Sequence, residues 1–138
     1  FFENVSRPGF SGLGRAARSD DHVLEYAVEC VLLDDIIPVE KVVRLIKIDV
    51  EGAELLVLRG SSRVLQSSRP ILIFESGPGS AAHVGLADGD LFDYLEEMEY
   101  RIYTPAAYLN RATRLTRQEF LDCHEYPFSA FNFVAISA

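Results

Sequence analysis

Lys47, Asp49, Glu51 and Glu54 crowd one short stretch of the chain, and Glu75 closes a second apolar run further on. Carboxylates accept protons and hydrogen bonds, and a positioned one can serve as a general base. Leu45, Ile46 and Ile48, just before Asp49, have the apolar, partly β-branched character of a strand covered on both faces. Gly52 permits a tight turn, and Ala53-Glu54-Leu55-Leu56-Val57-Leu58 reads as a helix start with acid at its positive end. In open α/β sheets, ligands bind just beyond the carboxyl ends of the strands. Acids gathered there make a candidate site.

Each residue has a chemical and a structural reading. Asp49 either orients an acceptor hydroxyl or takes its proton, for which an upward-shifted pKa would help. Its structural alternative is a turn-forming residue that caps the following helix. Lys47 shares a strand face with Asp49, and a lysine within a buried strand needs a partner. Glu75 on the neighbouring strand is the obvious one, whether the pair is structural or catalytic. Glu51 and Glu54 fall in the first helical turn, where the dipole alone favours acids. His22, His83 and His124 show no ligand spacing and read as surface or loop residues, although His83 could line an acceptor pocket.

Lys47-Ile48-Asp49-Val50-Glu51-Gly52-Ala53-Glu54, followed by Val57-Leu58-Arg59-Gly60, resembles the signature of the FkbM-type methyltransferases. The likeness continues through Leu65, Arg69-Pro70-Ile71-Leu72-Ile73-Phe74-Glu75, Glu99-Tyr100 and Asn132-Phe133-Val134-Ala135. Leu33-Asp34-Asp35 is similar to the family's short Leu-Asp element. The resemblance runs from about Pro8 to the C-terminus. It implies a partial class I methyltransferase: a Rossmann-like mixed sheet flanked by helices, with an antiparallel closing strand. It also implies S-adenosylmethionine as cofactor and methyl transfer to a hydroxyl of a sugar, lipid-linked or polyketide-like acceptor. Asp49 is then the leading base or orienting group, Glu75 and Lys47 shape the site, and Asp49-Val50-Glu51-Gly52 lines the cofactor cleft.

Class I methyltransferases begin with a strand, a glycine-rich turn and a helix that cradle the cofactor, and then an acid that holds the ribose. No such series stands before Asp49. Gly9, Gly12 and Gly14 are spaced suggestively, but Phe1-Phe2-Glu3-Asn4-Val5 is too short and too polar for the strand, so these glycines read as a flexible surface loop. The expectation is a flexible arm or loop over residues 1–22 and the C-terminal portion of the domain over 23–138. The half that cradles the cofactor would be absent, leaving the edge of the strand at 45–49 open to self-association.

A chain of 138 residues allows one domain, and 49% hydrophobic with 25% charged residues is a globular composition. A net charge of −8 disfavours nucleic acid and acidic membrane surfaces, which require a basic footprint. Cys30 and Cys123 form no metal spacing and read as free thiols of a reducing, cytoplasmic compartment. No metal site is expected. No leader pattern and no long apolar run suggests export or membrane insertion.

Periodicity predicts a strand over 23–33, a helical piece near Asp34-Asp35, and the key strand at about 44–49. A helix over 52–59, a second helical piece over 62–66 and a buried parallel strand over 71–75 follow. Leu91, Leu95 and Met98 share one face of a helix that Asp88 or Asp90 caps. A strand over 100–103, a capping-box helix from Thr116 and a closing strand over 131–137 complete a layered α/β sheet. Two rivals stand beside methyl transfer: a non-catalytic binding or structural fragment of the same fold, and a metal-dependent hydrolase using Asp49, Glu51, Glu54 and Glu75 as oxygen ligands.

Overall fold

The computed structural model describes residues 1–15 and 17–138. Near the N-terminus, β1 (Phe2–Asn4) and β2 (Val23–Glu25) pair antiparallel as a small separate sheet. The main sheet takes β3 (Leu45–Ile48), β4 (Ile71–Glu75), β5 (Tyr100–Tyr103) and β6 (Asn132–Ser137) in the order β3-β4-β6-β5. β3 and β4 are parallel, and β6 runs antiparallel to both β4 and β5. The fold is therefore α/β with a mixed sheet and an antiparallel closing strand.

One face of this sheet carries the core. Ile48, Leu72, Phe74, Ile102, Phe133 and Ala135 are buried there, and Phe74 stacks on Phe133 with ring centroids 5.7 Å apart. Helices α2 (Glu54–Arg59), α3 (Ser62–Ser68), α4 (Asp90–Glu97) and α6 (Arg117–Asp122) add Leu55, Leu58, Leu65, Leu91, Leu95 and Phe120 to the same cluster. Burying each such side chain contributes about 1.5–3 kcal/mol. The i, i+4 spacing of Leu91 and Leu95 puts both into the core, with Met98 packed at its margin. Two short helices, α1 (Leu33–Ile36) and α5 (Pro105–Leu109), lie outside the cluster. Thr116 and Glu119 form the capping box that starts α6.

Three expectations are corrected. β3 is not covered on both faces: on the face opposite the core Leu45 is 52% exposed and the Lys47 side chain 57%, and Ile71, in register with Leu45 on β4, is exposed there too. The strand expected over 23–33 stops at Glu25, and the alternating residues beyond it, Tyr26, Val28 and Leu32, have no sheet to bury them. The loop expected over 1–22 holds β1 and a 3-10 turn at Pro8–Phe10, fastened by an Arg7–Asp21 ion pair. β2 pairs with β1 and leaves the outer edge of β3 open among the described residues.

Candidate active site

Glu54 builds the turn that follows β3. Its side chain is 4% exposed, and one carboxylate oxygen accepts the N–H groups of Val50 and Gly52, each at 3.2 Å. An acid at this helix start thus holds the backbone of the turn rather than facing solvent. Gly52 lies at φ +95°, and a Cβ there would fall 2.2 Å from the Ser80 carbonyl oxygen. Only glycine lets the turn and the 76–84 loop meet backbone to backbone. Glu51 precedes the helix instead of joining its first turn, and its φ of 53° is a left-handed conformation that costs a non-glycine residue about 1–3 kcal/mol.

Parallel register pairs Ile48 with Phe74, so Asp49 and Glu75 emerge side by side at adjacent strand ends. Beyond them lies a small cleft lined by Glu51, Gly52, Glu54, Glu75, Ser76, Gly77 and Ser80. Its cavity volume is about 40 Å³, and it opens to solvent. Desolvation pushes the Glu75 carboxyl above its ordinary range, and the charges of Asp49 and Glu54 push it further, against a smaller pull from Lys47. The Glu51 carboxyl is raised in the same way, first by desolvation and then by Glu75, Asp49 and Glu54. Two carboxyls that retain protons more tightly than usual therefore face one space.

Asp49 and Lys47 sit differently. Asp49 is exposed, borders the cleft without lining it, and pairs with Lys47 Nζ at 2.5 Å. The expected Lys47–Glu75 pair is corrected: residues two apart on one strand share a face, and on an edge strand the nearest carboxylate is Asp49. Val50 is half-buried, with its amide given to Glu54.

The methyltransferase FkbM domain model matches residues 2–102. The chain belongs to this family. No curated protein and no solved structure matches the chain. The match takes in β1 and the N-terminal loop, starts earlier than the Pro8 expected, and ends at Ile102. The reading of the chain as the C-terminal portion of the domain is corrected accordingly: the first hundred residues of the chain carry the likeness, and β6 lies beyond it. The FkbM assignment makes methyl transfer the reaction class.

Three features of this FkbM domain escaped the sequence. Gly12 and Gly14 are not a free surface loop; both are buried, Gly12 against Glu51 and Gly14 against His83. Their spacing was visible, but not what they touch. His124 is buried rather than superficial, edge-on to Phe120 and Phe133. Among the described residues neither of its ring nitrogens has a partner in hydrogen-bonding geometry, although the Ser76 backbone comes near. Burial lowers its pKa. Ser76 and Ser80 enter the cleft from the loop after β4, whose place beyond a strand end suggested function without singling out either serine. Among the described residues, no three of His, Cys, Asp and Glu converge as metal ligands, and no helix is long and apolar enough to cross a membrane.

Proposed function

We propose that this FkbM domain methylates a hydroxyl oxygen, on a sugar, lipid-linked or polyketide-like acceptor, with S-adenosylmethionine as donor. The observation that carries the reading is the pairing of Glu75 and Glu51 in one cleft at the ends of parallel strands, both carboxyls raised. A base works best when its pKa lies near the working pH. Glu75 is therefore assigned as the acceptor of the hydroxyl proton, with Glu51 sharing it by hydrogen bond. Asp49, held by Lys47, orients the acceptor from the rim. Ser76 and Ser80 offer hydroxyls that fix the acceptor within the cleft.

The donor side is different. Among the described residues no glycine-rich turn joins a strand to a helix before β3, and the Val50 and Gly52 amides are already bound by Glu54. A cleft of about 40 Å³ is also far below the roughly 300 Å³ at which ligand pockets begin, room for an acceptor hydroxyl but not for an adenosyl group. The residues present fit the acceptor end of the reaction and do not complete a pocket for the adenosyl group.

The test is transfer of a labelled methyl group from millimolar S-adenosylmethionine to a panel of hydroxyl compounds. Label on oxygen, lost in Glu75→Gln, is expected; label transfer indifferent to that change removes Glu75 from the mechanism. The incomplete donor pocket favours a second reading, a binding module of the same fold. No label transfer at any donor concentration, with the fold intact, decides for it.

A further inference from the structure

Tyr126, Phe128 and Phe131 stand out on the surface between α6 and β6, at 88%, 48% and 40% exposure. Apolar side chains scattered singly over a surface are ordinary, but these three touch in series. Tyr126 meets Phe128 with ring centroids 5.9 Å apart, and Phe128 meets Phe131 at 5.3 Å. Successive rings are inclined by 89° and 49°, which makes an angular shelf rather than a flat plate.

The shelf is fastened to the wall of the carboxylate cleft. Ser76, which lines that cleft, donates its amide to the Phe131 carbonyl at 2.8 Å. Gly77, in the same wall, faces the Phe131 ring, where an added Cβ would lie 3.6 Å from Cδ1. Register pairs Asn132 with Glu75, so the two side chains leave the sheet on one face, and Asn132 is exposed there. Away from the cleft, the loop closes back on the end of α6 through the Ser129 amide and the Cys123 carbonyl.

A cleft of about 40 Å³ takes a hydroxyl, so the body of a methyl acceptor rests outside it. Aromatic faces beside an amide and carboxyls suit a ring that carries C–H bonds on one face and hydroxyls around its rim. An alkyl chain gains most from enclosure, and this shelf is open. The charged side chains that line the cleft, Glu51, Glu54 and Glu75, are all acids, and they repel phosphate or uronate groups.

We propose that Tyr126, Phe128 and Phe131, with Asn132, form a subsite for the pyranose ring of a neutral glycosyl acceptor, one hydroxyl of which enters the cleft. The proposal rests on the reading of that cleft as the acceptor site. The rings take the C–H face of the sugar, and the Asn132 amide, a donor and an acceptor at once, engages a hydroxyl next to the one methylated.

The test titrates methyl glucoside, mannoside and rhamnoside to tens of millimolar, with methyl glucuronoside and hexanol as charged and apolar comparisons, and follows amide chemical shifts by NMR. At least one neutral pyranoside is expected to move Ser76, Gly77, Ser129 and Asn132. Combining Tyr126→Ala with Phe128→Ala should weaken that binding about tenfold, while Tyr126→Phe, which keeps the ring, binds like the parent. Should the double variant fail to fold, Tyr126→Ala alone, at the most exposed of the three positions, is expected to weaken binding about threefold with its thermal midpoint unchanged. No shifts with any neutral pyranoside overturns the proposal, as does equal binding without the rings or tighter binding of hexanol or the glucuronoside. Binding is read without a methyl donor, so the two readings fail separately. A Glu75→Gln variant that still transfers label defeats the cleft reading while the pyranoside result stands. Label transfer that depends on Glu75, with no pyranoside shifts, does the reverse.

Discussion

Asp49 at the end of β3 and Glu75 at the end of β4 lie side by side, each closing an apolar run, yet they meet different surroundings. Among the described residues β3 has a neighbour on one side only and β4 on both. On the core face Ile48, Leu72 and Phe74 are all buried; on the opposite face Leu45, Lys47 and Ile71 are exposed on both strands. What separates the two acids is their company: Asp49 is solvent-exposed and paired with Lys47, whereas Glu75 is desolvated and crowded by other acids. Desolvation and neighbouring charge, more than residue type, prime Glu75 to take a proton.

The widest gap should appear in stability. Phe74→Ala is expected to cost about 3–5 kcal/mol, while Leu45→Ala stays under about 1 kcal/mol, both from urea denaturation. Similar costs would mean that the sheet face bearing Leu45 is covered in solution. Catalysis should separate the two acids next. Glu75→Gln is expected to lower kcat by about 10²–10⁴, the usual worth of a positioned base, and Asp49→Asn by about tenfold. The reverse order would return the base to Asp49.

The β4 end should also answer to pH through His124, whose ring packs near Ser76. Its folded pKa is depressed, so its contribution is present above the ordinary imidazole value near 6.5 and is lost as pH falls from there through the folded value. Stability should drop across that window with a slope approaching about 1.4 kcal/mol per pH unit, and His124→Phe should flatten it. A slope unaltered by the substitution would assign the acid sensitivity elsewhere.

Two smaller effects sharpen the contrast. An open β3 edge predicts association that grows with concentration, read by light scattering. A monomer throughout, with slowly exchanging amides over Leu45–Ile48, would show the edge occupied from within. Finally, the Glu75 pKa is raised, so its stabilising contribution is present below the ordinary carboxyl range and lost as pH rises through the folded value. Glu75→Gln should therefore gain up to about 1 kcal/mol of stability at pH 7.5 and nothing near pH 4, while Lys47→Ala loses a few tenths. A loss for Glu75→Gln at neutral pH would mean that its carboxylate is paired.

Much of this was legible because local rules and tertiary demands agreed. The runs at 71–75 and 100–103 became β4 and β5 at those bounds, and Thr116 with Glu119 announced α6. Adjacent strand ends for Asp49 and Glu75 were anticipated from two strands ending in acid, and the register delivers them, but Asp49 does not line the cleft that Glu75 enters. What stayed hidden depended on neighbours distant in sequence. Alternation at 23–33 is a strand signal only if a sheet edge receives it, and β1 receives just Val23–Glu25. Lys47 looked buried because its neighbours are apolar, but it lies on the sheet face opposite the core, which stays exposed. Gly12 and Gly14 looked free because no rule of spacing reveals what a glycine is pressed against.

β6 is the last strand along the chain, yet it sits between β4 and β5. As the polypeptide leaves the ribosome, β3 and β4 can pair early, but β5 has no place to dock until Asn132–Ser137 emerges. Until then the buried side chains of β4 and β5 share no common sheet. A stop codon even a few residues before Asn132 would thus remove the keystone between two otherwise complete halves, and the Glu75 end of β4 would lose its pairing with Asn132. The Glu75 end of β4 thus gains its Asn132 neighbour from the strand that follows all the others in sequence.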